Sequence, residues 1–280
     1  MVLARRDHLD YIKWFMRTET VRFLGALGFE LAGYLDLPDE GEPRAYAVLA
    51  HCFTCSKNFG SLANIDRALT ERGIGVLRFD FTGIGESGGD FAETNFTTNC
   101  EEIVRAAEFL GENFGPAALL IGHSFGGIAC VAAAAKVDSC RAVVAIGSPD
   151  KPRHVLDHFP GVADEIAQNG QATIVVAERE FMIRQQFVDD VQQYDDIVAT
   201  LTRPLLVMHS PSDDTVPYRV GLRFFDRAPS AKSFICLDGI DHLMKKHRHA
   251  KYIGRLIAAW ADPYISPRRH GTQMTRIKRI

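Results

Sequence analysis

One serine of this 280-residue sequence stands in a setting that can make its hydroxyl a nucleophile. Ser124 lies in "LLIGHSFGG", which begins with an apolar run and leads into the Ala-rich stretch "IACVAAAAK". The local pattern G-x-S-x-G has chemical meaning where a strand turns tightly into a helix, because the turn exposes the serine hydroxyl at the edge of the sheet. Gly122 and Gly126 supply the small neighbours that such a turn requires. The pattern therefore predicts that Ser124 attacks an electrophilic carbon.

A serine nucleophile needs a general base, and the base needs a carboxylate that orients it. His242 in "GIDHLM" follows the apolar run "SFICL", and Asp213 and Asp214 follow the apolar run "PLLVMH". Both segments therefore begin where a predicted strand ends, at the edge of a sheet where active-site loops collect. We expect His242 to act as the base. The residues alone leave both aspartates open as the acid, and the other role for Asp214 is a helix N-cap.

The segment "HCFTCSKN", residues 51–58, carries Cys52 and Cys55 beside His51 and Lys57. A C-x-x-C pair can be a redox dithiol, which gains reactivity at the N-terminus of a helix. With His51 the pair could also begin a metal site, but no fourth ligand stands at a zinc-type spacing, so we predict no metal. The third interpretation is a backbone loop in which both thiols are small, partly buried side chains. Lys57 would then help to start the next helix or line a pocket rim.

Short apolar runs alternate with segments of helical spacing along most of the chain. Runs such as "AYAVLAH", "AALLIGH" and "RAVVAIGSP" are typical of strands that are buried on both faces of a parallel sheet. In "NCEEIVRAAEFLGENFG", by contrast, the apolar residues recur on one helical stripe. The alternation predicts an α/β fold with a doubly wound sheet, whose first two strands form an antiparallel hairpin at one edge.

Residues 149–202 interrupt the alternation, and about 50 residues are too many for an ordinary connection between two elements of one sheet. We interpret this segment as an inserted cap, with a hairpin over "QATIVVAEREFMIRQQF" and a helix over "VDDVQQYDDIVATL". The predicted domain organisation is an N-terminal extension over residues 1–18, a core over 19–148 and 203–263, the cap over 149–202, and a basic C-terminal tail over 264–280.

Over roughly residues 19–263 the chain resembles an α/β-hydrolase of the serine-hydrolase (S33-type) and carboxylesterase group. The acid of that family stands in H-G-x-x-D-x-x-V-P, and "HSPSDDTVP" aligns Asp213 with it, although Ser210 replaces the usual glycine. "GIDHLM" resembles the G-x-D-H block that carries the base. "HCFTCSKN" and "SGGDF" are similar to loops of feruloyl and cinnamoyl esterases. They are also similar to the hydrolase half of bacterial fusion proteins whose second domain is of the OsmC type.

The resemblance implies a mostly parallel eight-stranded sheet with an inserted cap, and active-site residues in the chain order serine, acid, histidine. Ser124 would form an acyl-enzyme from a carboxylic ester, His242 would act as the base, and Asp213 would orient the imidazole. The backbone N–H groups of Phe53 and Phe125 would form the oxyanion hole. No cofactor is expected, and the implied partner is a small-molecule ester.

We expect apolar residues of the cap, such as Phe159, to contribute to the substrate pocket. The residues predicted to contact substrate are His51, Cys52, His123, Phe181 and Met182. The same triad would also suit a thioesterase or a peptidase, and a thiol oxidoreductase that uses Cys52 and Cys55 is the alternative from another class.

The two thiols give the loop interpretation a testable consequence. A disulfide between Cys52 and Cys55 would lie in the loop that must present the Phe53 N–H group. We expect such a bond to distort the loop, so that oxidation lowers esterase activity reversibly.

The segment "RFDFTGIGESGGDF" contains a literal G-x-G-x-x-G at Gly83, Gly85 and Gly88. A dinucleotide site also needs a helix that begins at the third glycine, so that its N-terminus meets the pyrophosphate. Here further loop residues intervene, and the next helix is predicted to start near Asn99, so we expect no bound nucleotide. The segment instead resembles the loop after the fourth strand of many α/β-hydrolases.

Composition excludes several other classes of function. The net charge is −3, so no overall positive field favours nucleic acid. Hydrophobic residues make up 46% and charged residues 24%, the usual balance of a globular protein. No apolar run reaches the roughly 18 residues of a membrane span. Six cysteines without a secretory signal predict a cytoplasmic protein with reduced thiols, and a homodimer stays open.

Overall fold

Ten β-strands and seven α-helices lie within residues 16–266, the part of the chain that the computed structural model describes. The strands are Arg17–Leu24 (β1), Glu30–Leu37 (β2), Ala45–Ala50 (β3), Ile74–Phe79 (β4), Ala117–His123 (β5), Ala142–Ile146 (β6), Gln171–Val176 (β7), Arg179–Arg184 (β8), Leu205–His209 (β9) and Lys232–Cys236 (β10). The helices are Gly60–Thr70 (α1), Phe96–Asn113 (α2), Phe125–Ala133 (α3), Val162–Asn169 (α4), Gln185–Val191 (α5), Tyr218–Arg227 (α6) and His247–Ile265 (α7). Most of the predicted N-terminal extension and basic tail falls outside the described residues.

Eight of these strands form one sheet in the order β1-β2-β4-β3-β5-β6-β9-β10. β2 pairs antiparallel with β1 and with β4, whereas all neighbours from β4 to β10 are parallel. The predicted doubly wound, mostly parallel sheet with an edge hairpin is therefore confirmed. Because the parallel strands run in one direction, the loops that follow β3, β5, β9 and β10 collect at one edge of the sheet.

Side chains of the central strands alternate between two hydrophobic cores, because successive residues of a strand point to opposite faces. In β3, Val48 lies in one core with Ile103 of α2. Ala47 and Leu49 lie in the other core with Ile65 of α1. Helices thus cover both faces, which explains the continuous apolar runs of the central strands. None of the helices within residues 16–266 is both long and apolar enough to cross a lipid bilayer.

Between β6 and β9 the chain leaves the sheet and forms α4, the antiparallel hairpin β7–β8, α5 and three short 3₁₀ segments. The predicted hairpin is confirmed. The predicted continuous helix after it is wrong, since α5 ends at Val191 and only short 3₁₀ turns follow. Side-chain hydrogen bonds, rather than a continuous helix, stabilise this stretch. Asp190 accepts from the Thr97 N–H and hydroxyl, and Lys151 donates to Asp195 at 2.9 Å.

The helix α2 begins at Phe96, ahead of the predicted start near Asn99. Asn95 is its N-cap, because the Asn95 side chain accepts from the Thr98 N–H and the Thr98 hydroxyl accepts from the Asn95 N–H, each at 2.9 Å. This reciprocal arrangement is a capping box. Phe96 is fully buried, and its ring centroid lies 5.4 Å from that of Phe125. The N-cap at Asn95 therefore starts α2 about one helical turn earlier than predicted, and the added residue Phe96 packs against Phe125, which follows Ser124.

Candidate active site

Ser124 occupies the turn between β5 and α3 with backbone angles φ 53° and ψ −124°. A positive φ in a residue with a side chain costs on the order of 1–3 kcal/mol, so surrounding contacts must hold it. The Ser124 N–H donates to the Ile146 carbonyl at 2.8 Å, and its carbonyl accepts from the Gly127 N–H at 2.9 Å. These bonds tie the turn to β6 and to the first turn of α3. The strained strand-to-helix turn that the motif requires is present.

Gly126 is packed too closely for any side chain. A Cβ there would lie 2.4 Å from the His51 carbonyl oxygen and 2.7 Å from the Ala50 carbonyl oxygen. We expect Gly126→Ala to lower the free energy of unfolding by about 1–3 kcal/mol, as measured by urea denaturation. The control is Gly111→Ala in α2, where a Cβ meets no atom within 4 Å. That control should raise the free energy by roughly 0.5–1 kcal/mol, and equal stability of the two variants would contradict the packing argument.

His242 and Asp213 form a buried, hydrogen-bonded pair. His242 Nδ1 lies 2.8 Å from Asp213 Oδ2, and the two side chains are only 4% and 2% exposed. Asp213 Oδ1 accepts from the Thr215 N–H at 2.9 Å and the Val216 N–H at 2.7 Å. Burial by itself raises the pKa of Asp213, but the hydrogen bonds from His242, Val216 and Thr215 outweigh burial and lower that pKa. Asp213 is therefore ionised at neutral pH, and it fixes the orientation of the imidazole.

A cavity of about 830 Å³ brings this histidine and the serine together. Ser124 and His242 both line it, Asp213 lies outside its lining, and the exposed Asp214 borders it. The Asp214 carboxylate makes its one hydrogen bond within residues 16–266 to the Thr215 hydroxyl, at 3.2 Å. Ser124 Oγ and His242 are both described and share no hydrogen bond, a contact that commonly tightens only when substrate binds. Ser124 and His242 thus share one cavity, and His242 Nε2 has no hydrogen-bond partner among the described residues.

Phe53 and Phe125, whose backbone N–H groups are the suggested oxyanion donors, both line this cavity. Phe125 is the first residue of α3, so its N–H is one of the donors that a helix leaves unpaired at its N-terminus. Phe53 lies in the loop after β3, and the two phenyl rings are 5.3 Å apart. Neither N–H donates a hydrogen bond to any residue of the described part of the chain. Both N–H groups are therefore available as donors, and their role in an oxyanion hole stays a prediction.

His51 and His123 are buried and do not line the cavity, so their contact with substrate stays a prediction. His51 Nδ1 lies 2.7 Å from the Cys52 carbonyl oxygen, and its Nε2 accepts from the Phe81 N–H at 3.3 Å. His123 Nε2 lies 2.9 Å from the His242 carbonyl oxygen. Burial lowers the pKa of His51 to about 4 and that of His123 to about 3. Both imidazoles are therefore neutral, and each bonds to backbone atoms beside the site.

Residues 47–271 match the model of a family described as the Alpha/beta hydrolase family. The chain belongs to the alpha/beta hydrolase family. Its structure is similar to that of the esterase domain of a Rhodothermus marinus protein, which is 39% identical, with a TM-score of 0.73 over 90% of this chain and 100% of that one. Est1E from Butyrivibrio proteoclasticus, solved with ferulic acid bound, is 19% identical with a TM-score of 0.72 over 88% and 99% of the two chains. At that identity the likeness concerns the fold.

Curated relatives match shorter parts of this alpha/beta hydrolase. The mitochondrial palmitoyl-protein thioesterase ABHD10 of Mus musculus is 27% identical over 184 residues, which are 62% of this chain and 61% of that protein. The lysophosphatidylserine lipase ABHD12 of Danio rerio is 24% identical over 173 residues, 60% of this chain and 43% of that protein. The chain thus spans about half the length of these relatives.

Lys57 anchors the loop after β3 of the hydrolase from a fully buried position. Its Nζ lies 2.6 Å from Asp80 Oδ2 and 2.5 Å from Glu86 Oε2, and its N–H donates to Asp80 Oδ1 at 2.6 Å. Its carbonyl accepts from Arg78 at 2.5 Å. Burial lowers the pKa of Lys57, but the two carboxylates outweigh burial and raise it, so the ammonium stays charged. The prediction that Lys57 starts α1 or lines the rim is wrong.

Cys52 and Cys55 are joined by a disulfide, with Cα atoms 5.3 Å apart. The Cys55 N–H donates to the Cys52 carbonyl at 3.2 Å, so residues 52–55 form a tight turn that contains Phe53 and Thr54. The prediction of reduced thiols is therefore wrong for this pair, because the turn brings the two side chains within the span of a disulfide. The free cysteines within residues 16–266 are Cys100, Cys130, Cys140 and Cys236.

Of the predicted substrate contacts, only Cys52 lines the cavity. Phe181 in β8 is buried, and its ring centroid lies 5.0 Å from that of Phe91. Met182 is 36% exposed and points to the other side of the hairpin, as the alternation of a strand requires. Contact of Phe181 or Met182 with substrate stays a prediction, because the strand pattern does not show which part of a hairpin reaches the site.

The turn of the hairpin β7–β8 reaches the cavity together with the strand ends that flank it. Ala177 and Glu178 have φ of 48° and 63°, the double positive φ of a type I′ turn, although neither is a glycine. Arg179 follows the turn, lines the cavity and donates a hydrogen bond to the Thr54 carbonyl. Lining residues that were not predicted from the sequence are His154, Val155, His158, Val175 and Val176. None carries a signal in its local sequence.

The glycines of the G-x-G-x-x-G segment serve the packing of a loop. Gly83 and Gly85 have φ of 73° and 58°, and a Cβ at Gly85 would lie 2.2 Å from Asp80 Oδ2. The Glu86 N–H donates to the same carboxylate oxygen at 3.0 Å. The loop therefore folds closely around Asp80, the partner of Lys57, and the next regular element is only the 3₁₀ turn Phe91–Glu93.

Proposed function

We propose that this alpha/beta hydrolase is a serine esterase that cleaves a carboxylic ester through an acyl-enzyme on Ser124. The observation that carries the proposal is the shared cavity, in which Ser124 sits in a strained turn beside His242 while Asp213 holds the imidazole. Strain of this kind persists where the surrounding structure maintains it, commonly at functional sites. The similarity to an esterase domain at 39% identity supports the same class of chemistry.

In the proposed mechanism, His242 Nε2 removes the Ser124 proton as Oγ attacks the carbonyl carbon. The oxyanion accepts hydrogen bonds from the Phe53 and Phe125 N–H groups, each contributing about 3 kcal/mol to the transition state. Asp213 stays ionised and stabilises the imidazolium. His242 then gives its proton to the leaving alkoxide as the ester bond breaks. A water molecule, deprotonated by His242, attacks the acyl-enzyme, and Ser124 regains its proton as the acid departs.

A fluorophosphonate probe tests this proposal, because it phosphonylates an activated serine. The expected adduct is on Ser124, located by peptide mass spectrometry. A probe that labels another residue, or none, in protein that hydrolyses p-nitrophenyl acetate would reject Ser124 as the nucleophile.

The inserted segment 149–202 is proposed to act as a cap that selects the substrate, over a core of residues 19–148 and 203–263. Val155, Phe159, Val175 and Val176 of this segment line the cavity together with Phe53 of the core. These apolar walls favour a hydrophobic acyl or aryl group, since burial of apolar surface supplies most of the binding free energy.

Phe159→Ala tests this role of the cap. The ring of Phe159 lies 6.4 Å from that of Phe53 across the cavity wall, and its removal widens the space there. We expect kcat/KM for medium-chain p-nitrophenyl esters to fall by about tenfold, with a smaller change for the acetate ester. Met182→Ala is the matched control, because Met182 is in the same segment but away from the cavity. Equal effects of the two changes on chain-length preference would argue against a cap pocket.

Thioester hydrolysis is a second candidate function on the same residues. The match to a palmitoyl-protein thioesterase favours it, although that relative is matched over only 61% of its length. Comparing kcat/KM for acyl-CoA and for p-nitrophenyl esters of equal acyl length decides between the two. A thiol oxidoreductase is less favoured, because α1 begins at Gly60, beyond the end of the disulfide turn at Cys55, so no helix N-terminus activates either thiol.

A further inference from the structure

We propose that the Cys52–Cys55 pair is a thiol–disulfide exchange site which external dithiols reach through the substrate cavity, and whose redox state controls the oxyanion hole. Its effect on activity rests on the proposed esterase function, whereas the exchange itself does not. Both cysteines line the cavity and are partly exposed. The cavity thus has two occupants of different chemistry, an ester at Ser124 and a reductant at the disulfide.

The accessibility of this pair distinguishes it from most other cysteines of the described chain. Cys100, Cys130 and Cys140 are buried, and burial raises the pKa of each thiol, to about 11 for Cys140. Such thiols react slowly, because the thiolate is the reactive form. Cys236 is free and exposed, but it stands at the end of β10 and does not line the cavity. Exchange through the cavity is therefore specific to Cys52 and Cys55.

The structure also shows what a change of redox state can move. His51 holds the Cys52 carbonyl on one side of the turn, and Lys57 fixes the chain on the other through Asp80. The disulfide closes the turn between these anchors, and the segment it encloses is Phe53 and Thr54. Opening the ring therefore frees the backbone angles of the proposed oxyanion donor while both ends stay fixed.

The direction of the change in activity follows from the structure of the turn with the disulfide formed. With the disulfide present, the Phe53 N–H is unpaired among the described residues and its ring packs on Phe125 at 5.3 Å. The disulfide therefore leaves this donor available, in contrast to the loss of activity expected from the sequence. A preorganised donor stabilises an oxyanion better than one that must be ordered during the reaction. The oxidised enzyme is the more active form, and reduction lowers kcat.

The exchange is a balanced two-electron reaction. A thiolate of the external dithiol attacks one sulfur of the pair, which breaks the Cys52–Cys55 bond and forms a mixed disulfide. The second thiol of the reagent closes its own disulfide and releases the protein thiol. The reagent is oxidised to a cyclic disulfide, and its two protons pass to Cys52 and Cys55. Diamide, which takes up two electrons and two protons as it becomes a hydrazine, reverses the change.

The test begins with protein oxidised by diamide and then treated with dithiothreitol under native conditions. Thiols are trapped with N-ethylmaleimide at successive times and located by peptide mass spectrometry, with the exposed Cys236 as the internal control. We expect Cys52 and Cys55 to become labelled in the folded protein. Labelling should be about tenfold slower once a bulky phosphonate fills the cavity from Ser124, while Cys236 labelling is unchanged.

Activity is measured on the same samples. We expect kcat for a p-nitrophenyl ester to fall about tenfold on reduction, less than the roughly 100-fold or greater loss from deleting an oxyanion donor, and to recover with diamide. The double variant Cys52→Ser/Cys55→Ser should have the kcat of the dithiol form of wild type, and neither dithiothreitol nor diamide should change that kcat. If the variant fails to fold, the reversible change of kcat in wild type tests the proposal by itself. Any of three results would overturn the proposal. These are reduction of the disulfide only in unfolded protein, a reduction rate that is the same with an empty and with a phosphonate-filled cavity, and a kcat that is equal in the two redox states. Failure of the phosphonate to label Ser124 would instead count against the esterase function, and the reduction rate would still test the exchange site.

Discussion

Replacing Ser124 by alanine is expected to lower kcat for p-nitrophenyl ester hydrolysis by at least about 10⁴-fold, because no other group supplies the attacking oxygen. The residual rate would come from the oxyanion donors and from substrate binding. Fluorophosphonate labelling should disappear with the activity. Both are measured on protein whose unfolding midpoint in urea matches that of wild type. A matching midpoint is expected, because alanine at φ 53° keeps the backbone strain that serine has there.

The matched control for this change is Ser139→Ala. The Ser139 hydroxyl donates to the Ala117 carbonyl at 2.9 Å. Ala117 begins β5, so this serine lies at the opposite end of the strand from Ser124. We expect its kcat to stay within about twofold of wild type. Full labelling and activity in Ser124→Ala would show that the nucleophile is another residue.

Asp213→Asn is expected to lower kcat by about 10⁴-fold with little change in KM. The carboxylate accepts a hydrogen bond from His242 Nδ1, whereas an amide can donate to that nitrogen and so favour the tautomer with a proton on Nε2. That tautomer cannot take the proton of Ser124. KM should change little, because Asp213 does not line the cavity. Steady-state kinetics at pH 8 separate the two parameters.

Asp214→Asn is the control, since the two carboxylates are adjacent in the chain and differ in their contacts. Asp214 is exposed and bonds to the Thr215 hydroxyl at 3.2 Å. We expect its kcat to stay within about threefold of wild type. A severe loss in Asp214→Asn with little loss in Asp213→Asn would transfer the orienting role to Asp214.

The sequence predicts those parts of the molecule that depend on local steric and hydrophobic constraints. The turn at Ser124 is predictable because a Cβ at Gly122 or Gly126 would lie only 2.2 Å or 2.4 Å from a backbone oxygen, so both positions require glycine. The sheet is predictable because strands covered on both faces must be apolar throughout. The proximity of His242 to Ser124 follows once the strands are parallel, since the ends of β5 and β10 meet at one edge.

The walls of the cavity could not be predicted, because they depend on how separate elements meet. The sequence suggests that His51 and His123 contact substrate, yet both side chains bond to backbone atoms in the interior. Arg179 reaches the cavity only because Ala177 and Glu178 adopt positive φ, which their residue types do not suggest.

The buried position of Lys57 could not be predicted either, because it depends on charged partners elsewhere in the chain. A lysine usually lies on the surface, and complete burial requires partners for its charge. Those partners, Asp80 and Glu86, are distant in the sequence and come from the loop after β4. Local sequence therefore predicts a solvated side chain where the fold contains a buried ion pair.

The division of the site between two parts of the chain bears on how such a protein can evolve. Ser124, Asp213 and His242 all lie outside residues 149–202, whereas Phe159, Val175 and other cavity residues lie inside that segment. Substitutions that accumulate in the insertion can alter which molecules enter without disturbing the His242–Asp213 bond. Selectivity can then drift between lineages while purifying selection maintains turnover, and exchange of the insertion between relatives is a route to new substrates that leaves the chemistry in place.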